Sequence, residues 1–259
     1  MHRIPEHLRE IADAVVAAAA GDSRMSAVIA GGSIATGTSD EYSDLDLVLV
    51  CTADGQQECL AEAPEFAGRL GPLLASFTGE HVGEPRLLIA LFGPPLVHVD
   101  LKFVTADDLR DRVEDGVVLW QRDGTVDRAY STSQPRWPQV DPQWIEDRFW
   151  VWVHYTAVKI ARGELFEAVE ALDAIRSAAI APLATLGRTS KPTRVRRLET
   201  LAPELVPEFR ATVAIADRDD CLRALNASAE LYRKVRDSSG VTVERRTAAE
   251  QAVADFLAG

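Results

Sequence analysis

Hydrophobic positions recur along this chain with two different periods, and the change from one to the other divides it. Ile4, Leu8, Ile11, Val15 and Val16 fall at helical spacing and predict a helix over residues 4–20. Apolar runs of strand length follow at residues 27–30 and 46–50. Residues 56–76 read as mostly helical, with breaks at Pro64 and at Gly71-Pro72. Residues 87–92 predict another strand. After a Gly93-Pro94-Pro95 turn, residues 96–104 alternate apolar and polar side chains as a half-buried strand does, so the pair reads as a hairpin. Asp107-Asp108 is placed to cap a short helix beginning at Leu109. Residues 121–143 shift to Pro, Asp, Gln and Ser and read as a linker. Beyond Pro142 the helical period dominates, over 144–162, 164–186, 203–216, 218–237 and 244–257, the first helix entered through an Asp141 cap and a first-turn proline. The pattern describes a strand-bearing N-terminal part and an all-helical C-terminal part, without internal repeats.

Charge enters between the first two strands, in Gly31-Gly32-Ser33-Ile34-Ala35-Thr36-Gly37-Thr38-Ser39-Asp40-Glu41-Tyr42-Ser43-Asp44-Leu45-Asp46. Alternate strand residues face the same way, so Asp44 and Asp46 can project side by side while Leu45 and Leu47 enter the core. Like charges this close repel and raise each other's pKa, and a divalent cation relieves the repulsion. The glycine turn upstream offers backbone N–H groups to phosphate oxygens. Asp-x-Asp alone usually marks a solvated turn, and Gly-Gly-Ser alone a loop. With ten residues between Ser33 and Asp44 and strands on both sides, they point together to work on a nucleoside triphosphate. No G-x-G-x-x-G follows a strand and no Walker pattern is present, which disfavours the other common nucleotide folds.

A third acid lies in the alternating strand. Val99, Leu101 and Phe103 are apolar, so Asp100 shares the opposite face with His98 and Lys102. Pairing of this strand with residues 46–50 would bring Asp100 towards Asp44 and Asp46, and three such carboxylates can hold two Mg²⁺ ions. Asp100 is either a ligand or the base that deprotonates an acceptor hydroxyl; an edge-strand aspartate facing water is the plain alternative. Because magnesium prefers oxygen, His98 reads as a polar residue on the solvated face, and His2, His7 and His81 show no partner pattern.

In the helical half, Lys159 is flanked by Val158 and Ile160. It can reach a triphosphate across an interdomain cleft or snorkel to water. Phe149, Trp152 and Val153 read as core. Glu146 and Asp147 suit the N-terminal end of a helix through its dipole, with a catalytic base as the rival reading. Arg188, Lys191, Arg194, Arg196 and Arg197 read as a solvated interhelical loop.

The chain of 259 residues, 47% hydrophobic and 26% charged, can bury a core as one large domain or two modest ones. Its formal net charge of −12 disfavours a nucleic-acid partner and suits a cationic small molecule. No apolar run approaches the ~20 residues that span a membrane, and the N-terminus lacks a signal-peptide core. Cys51, Cys59 and Cys221 show no metal-ligand spacing and do not suggest a disulfide scaffold. The expectation is a cytoplasmic protein.

The Gly-Ser…Asp-x-Asp arrangement resembles the signature of the DNA polymerase β-like nucleotidyltransferase superfamily. Asp40-Glu41-Tyr42-Ser43-Asp44-Leu45-Asp46, Phe149-Trp150, Lys159 and Arg162-Gly163-Glu164-Leu165 resemble, more narrowly, aminoglycoside 6-adenylyltransferases and related antibiotic nucleotidyltransferases. The likeness covers most of residues 25–190. It implies an α+β fold, with a mixed-sheet catalytic domain over residues 1–130 and an all-helical bundle over 141–259 that binds the acceptor. It further implies Asp44, Asp46 and Asp100 as metal-binding catalytic residues, and Gly32, Ser33 and Lys159 as contacts to ATP or another NTP. The reaction implied is transfer of AMP to a hydroxyl of a small molecule, with Mg²⁺, in an enzyme of a type that sometimes forms homodimers. The family commonly carries Arg after Gly-Ser, where this chain has Ile34. Two rivals keep the fold: modification of a protein hydroxyl, as in toxin–antitoxin pairs, with which Arg148-x5-His154 is loosely compatible, and a sensor that binds nucleotide without transferring it.

Overall fold

A computed structural model describes residues 4–258, so His2 lies outside the described residues. The chain divides between Arg136 and Trp137 into two compact units. The first is built on a six-stranded sheet, in the order β3-β4-β5-β2-β1-β6. Its strands are β1 (Met25–Ala30), β2 (Leu45–Cys51), β3 (Leu73–Gly79), β4 (Glu84–Phe92), β5 (Val97–Thr105) and β6 (Val117–Gln121). Only β2 and β5 run parallel; every other neighbouring pair is antiparallel, so the sheet is mixed and the fold α+β. Helices α1 (Glu6–Gly21), α2 (Gly32–Thr36), α3 (Gln56–Ala61), α4 (Ala63–Gly68) and α5 (Thr125–Ser131) complete the unit. On β2, Leu45, Leu47 and Leu49 are buried, and on β5 so are Val99, Leu101 and Phe103. Alternation turns Asp46 and Asp100 to the opposite face, which is itself buried further along, where Val50 and Val104 pack with Val126 and Ala129 of α5.

Two departures from the sequence reading have physical causes. Residues 73–76 are strand, where helix was expected: β3 pairs with β4 at the sheet edge and leaves Leu74 and Phe77 exposed, so its apolar residues do not follow a buried pattern. The expected break at Pro64 is present: α3 ends at Ala61, and Pro64 lies in the first turn of α4, where its missing N–H costs nothing. The supposed linker holds the end of β6 and all of α5. Val126 and Ala129 of α5 are buried, and the Gln121 side chain accepts from the Val126 N–H at 2.9 Å and the Asp127 N–H at 3.3 Å. A polar composition here conceals a helix held by a strand residue. The turn after β5 starts at Asp108, whose carboxylate accepts from the Thr105 N–H at 2.7 Å and hydroxyl at 2.8 Å.

The second unit is helical: α6 (Pro142–Arg162), α7 (Leu165–Ile175), α8 (Ala181–Ala184), α9 (Leu198–Leu201), α10 (Val206–Ala211), α11 (Arg218–Ser238) and α12 (Thr247–Ala258). A π-helical turn, Arg176–Ile180, joins α7 to α8, so the expected helix over 164–186 runs continuously but changes winding midway. Asp141 caps α6, accepting from the Gln143 and Trp144 N–H groups at 3.0 Å each, as the Asp-Pro pair predicts. Gly163, at φ 75°, ends the helix in the left-handed region. Phe149 stacks on Tyr232 of α11 at 3.5 Å between centroids, and Trp150 meets both edge-on. Among the described residues no helix is long and apolar enough to cross a membrane.

The β4–β5 ladder carries a titratable pair of bonds. Arg86 Nε lies 2.8 Å and Lys102 Nζ 2.8 Å from the Glu84 carboxylate. The Arg86 hydrogen bonds first, and Lys102 after them, hold Glu84 down from an ordinary 4.5 to about 2. A carboxylate with a lowered folded-state pKa contributes stability that is complete above its unfolded value and is lost as pH falls through the folded one. The melting temperature of the parent should therefore drop faster between pH 4.5 and pH 2 than that of Glu84→Gln. Parallel curves in a thermal scan across that window would remove Glu84 from the acid response.

Candidate active site

The chain leaves β1 at Ala30, turns through Gly31 into the short helix α2, and returns along a loop to β2. The Gly31 N–H donates to the Asp46 carbonyl at 2.9 Å, which pins the start of the turn to β2. Gly32 adopts φ +54°, and a Cβ built on it would fall 1.8 Å from Asp46 Oδ2 and 2.9 Å from Asp46 Cγ. The Asp46 carboxylate thus lies directly on the face of Gly32 that a side chain would occupy. A glycine is required here on two counts, conformation and space. Ser33 is tied into the same turn: its carbonyl accepts from the Thr38 N–H at 2.9 Å and its hydroxyl from Ser39 at 3.3 Å. Ile34 points inward and is 1% exposed, part of the core beneath the sheet. That burial is a local reason for an apolar side chain where the resembling family carries Arg. Asp40 shapes the return loop by accepting from the Tyr42 N–H at 3.0 Å and the Ser43 hydroxyl at 3.1 Å, and Asp44 follows, half-buried, just before β2.

The parallel β2–β5 register sets Asp46 opposite Asp100, with Leu45 opposite Val99 and Leu47 opposite Leu101. Two carboxylates therefore share one face of adjacent strands, next to the Gly32 turn. The Asp100 Oδ1 lies 2.9 Å from His98 Nε2, and Lys102, the third polar residue of that face, is paired with Glu84. The i, i+2 spacing places His98 and Asp100 on one face, but the contact between them emerges only in the structure. Among the described residues no three His, Cys, Asp or Glu side chains stand close enough together to hold a metal ion. The donors present, Asp44, Asp46 and Asp100, nevertheless match in kind the oxygen ligands that a hard divalent cation takes.

The remaining candidates lie in the helical unit, and each is engaged there. Lys159 Nζ is 2.6 Å from Glu164 and 2.9 Å from Glu167, and these carboxylates, Glu164 first, raise its pKa and keep it protonated. Glu146 is buried, accepting from the Tyr232 hydroxyl at 2.5 Å, the Arg246 N–H at 2.9 Å and Arg236 Nη1 at 3.3 Å. A carboxylate so fully used is a structural group, which replaces the reading of Glu146 as an alternative base. Asp147 pairs with Arg246 at 2.6 Å. Arg148 stacks over Trp144 at 4.2 Å and His154 meets Phe256 at 5.1 Å, so the Arg-x5-His spacing resolves into two separate packing contacts. In the basic loop Arg188 pairs with Glu204 at 2.5 Å and Lys191 lies over Trp137 at 4.7 Å.

None of the curated proteins matches the sequence. Among solved structures that match, two have alignments that extend over nearly the whole chain. One is an aminoglycoside 6-adenyltransferase from Bacillus subtilis, with 16% identity, 99% of this chain and 98% of the other covered, and a TM-score of 0.40. The other is a nucleotidyltransferase-like protein from Exiguobacterium sibiricum, with 11% identity, 95% and 77% coverage, and a TM-score of 0.37. The decisive match is in sequence: the family model described as streptomycin adenylyltransferase spans residues 6–258. With that match over both units, the chain belongs to the streptomycin adenylyltransferase family and is a nucleotidyltransferase.

Proposed function

We propose that this enzyme transfers AMP from ATP to a hydroxyl of a small cationic acceptor of the aminoglycoside type, with Mg²⁺. The observation that carries the reading is the β2–β5 register, which puts Asp100 opposite Asp46 beside the Gly32-Ser33 turn. Asp44, Asp46 and Asp100 would hold the metal, whose charge, when bound, neutralises the phosphates and the developing negative charge. Backbone N–H groups of the Gly32-Ser33 turn would take the phosphate oxygens. The alternative role for Asp100, in place of a metal bond, is to receive the acceptor's proton, with the half-exposed His98 imidazole 2.9 Å from its carboxylate. Lys159, already paired with two carboxylates, is assigned to the ion network of the helical unit. The net charge of −12 favours approach of a cation, and the three buried free thiols suit a reducing cytoplasm.

The test is pyrophosphate release from purified protein with ATP, Mg²⁺ and a panel of aminoglycosides and lincosamides, repeated with other nucleoside triphosphates and with EDTA. Acceptor-dependent release that EDTA abolishes is the expected result. No release with any small acceptor, together with label from ATP on a co-expressed protein, would overturn it in favour of protein modification.

A further inference from the structure

The helical unit contains a cavity of about 350 Å³ between α6, α7 and the π turn. Its size falls at the lower end of the range of small-molecule sites, roughly 300–1,000 Å³. The cavity follows from the sequence of α7. Glu167, Glu170, Ala171, Ala174 and Ala178 recur at helical spacing and share the face that looks onto Trp152 and Tyr155 of α6. Three alanines stand where larger side chains would close the gap between the two helices. The π turn contributes Ala178, and such turns re-aim side chains where a helix meets a ligand.

The walls differ in chemistry from the floor. Trp152 is held edge-on by Trp144 at 5.6 Å, and the Tyr155 hydroxyl donates to Glu167. Both rings are therefore set in place before anything binds. Glu167 is shared with Lys159, which also takes Glu164. The Tyr155 hydrogen bond, and then Lys159, hold the Glu167 carboxyl below its ordinary range, so it stays ionised. With Glu170 on the same rim, carboxylates outnumber the single ammonium. Lys159 already lies over the Tyr155 ring, 5.2 Å from its centre, so it is the Trp152 ring and the excess negative charge that attract a further cation, whereas the alanine floor offers nothing to a molecule covered with hydroxyls.

We propose that this cavity is a binding site for a small organic cation with a flat, apolar ring body and one amine or guanidinium head. The body lies on the alanine floor against Trp152 and Tyr155, and the head meets Glu167 and Glu170. The site stands on the cavity alone and does not depend on nucleotidyl transfer.

Calorimetric titration of the full chain with 1-naphthylmethylamine and its neutral counterpart 1-naphthylmethanol, without nucleotide, tests it. The amine should bind roughly tenfold more tightly than the alcohol, because only the ammonium can pair with the Glu167 and Glu170 carboxylates. Ala174→Leu, at an exposed position, should fill the floor and abolish binding without lowering the melting temperature. Glu170→Gln should bring the affinity for the amine towards that for the alcohol. Equal affinity for the two compounds, no binding of the amine, or binding that survives Ala174→Leu would each overturn the proposal.

Discussion

Asp46→Asn should lower nucleotidyl transfer by roughly 10³-fold, the scale of losing one charge-stabilising group at a reaction centre, while leaving the fold intact. Asp46 is half-buried, lies opposite Asp100 in the register, and rests its carboxylate on Gly32. The substitution keeps shape and size and removes one of two facing negative charges, so repulsion across the strands falls. The melting temperature should stay level or rise. Loss of rate with gain of stability distinguishes a functional charge from a structural one; an unchanged rate in a pyrophosphate-release assay would end the assignment. Gly32→Ala should reproduce the loss by another route. Its Cβ would displace the carboxylate from its seat, and φ +54° would cost a non-glycine residue about 1 kcal/mol. Because both changes act on one group, the double variant should be little worse than Asp46→Asn alone.

The largest effect on stability is expected in the helical unit. Glu146→Ala should destabilise it by about 3–5 kcal/mol, the usual result of removing one partner from a buried ion pair. Arg236, 4% exposed, would keep only Glu250 and Asp237, while the Tyr232 hydroxyl and the Arg246 N–H would lose their acceptor. Glu146→Gln keeps an acceptor oxygen and should cost about 1–2 kcal/mol. Urea unfolding followed by tryptophan fluorescence suits the measurement, since Trp137, Trp144, Trp150 and Trp152 are in this unit and only Trp120 is in the other. The folded Glu146→Gln protein should transfer nucleotide at the parental rate, and a large fall in kcat at unchanged stability would restore Glu146 as a base.

The candidate site was readable in part because its chemistry is local. Asp44 and Asp46 are two residues apart, the glycine turn precedes them in the same loop, and strand alternation alone separates Asp46 and Asp100 from the leucines beside them. The choice of β2 as the partner of β5 is not local. It depends on a contact between positions 54 residues apart in the chain (46 and 100), for which alternation is silent. His98 shows the same limit: its shared face with Asp100 follows from spacing, and its 2.9 Å contact does not.

Misreadings arose where local pattern and tertiary environment disagree. β3 lies at the sheet edge with Leu74 and Phe77 in water, and β6 is half-buried throughout, so neither shows a clean apolar stripe. Only their pairing with β4 and β1 makes them strands. Glu146 and Asp147 looked alike at a helix start. Glu146 is buried because α11 and the segment leading into α12 supply Tyr232, Arg236 and Arg246 about a hundred residues later, whereas Asp147 stays at the surface.

Capping, helical period, strand alternation and the Gly-Ser…Asp-x-Asp chemistry act over a few residues, and residue order alone specifies them. It therefore settled where α1, α6 and α11 run, which face of β2 and β5 is apolar, and which acids are candidates. Folding decided which strands become neighbours, that Asp46 lies opposite Asp100 on one side and against Gly32, that Glu146 is locked in an ion network, and that the alanines facing α6 leave a cavity. These outcomes depend on the burial of charge and on packing between distant segments, and such energies exist only once the segments have met.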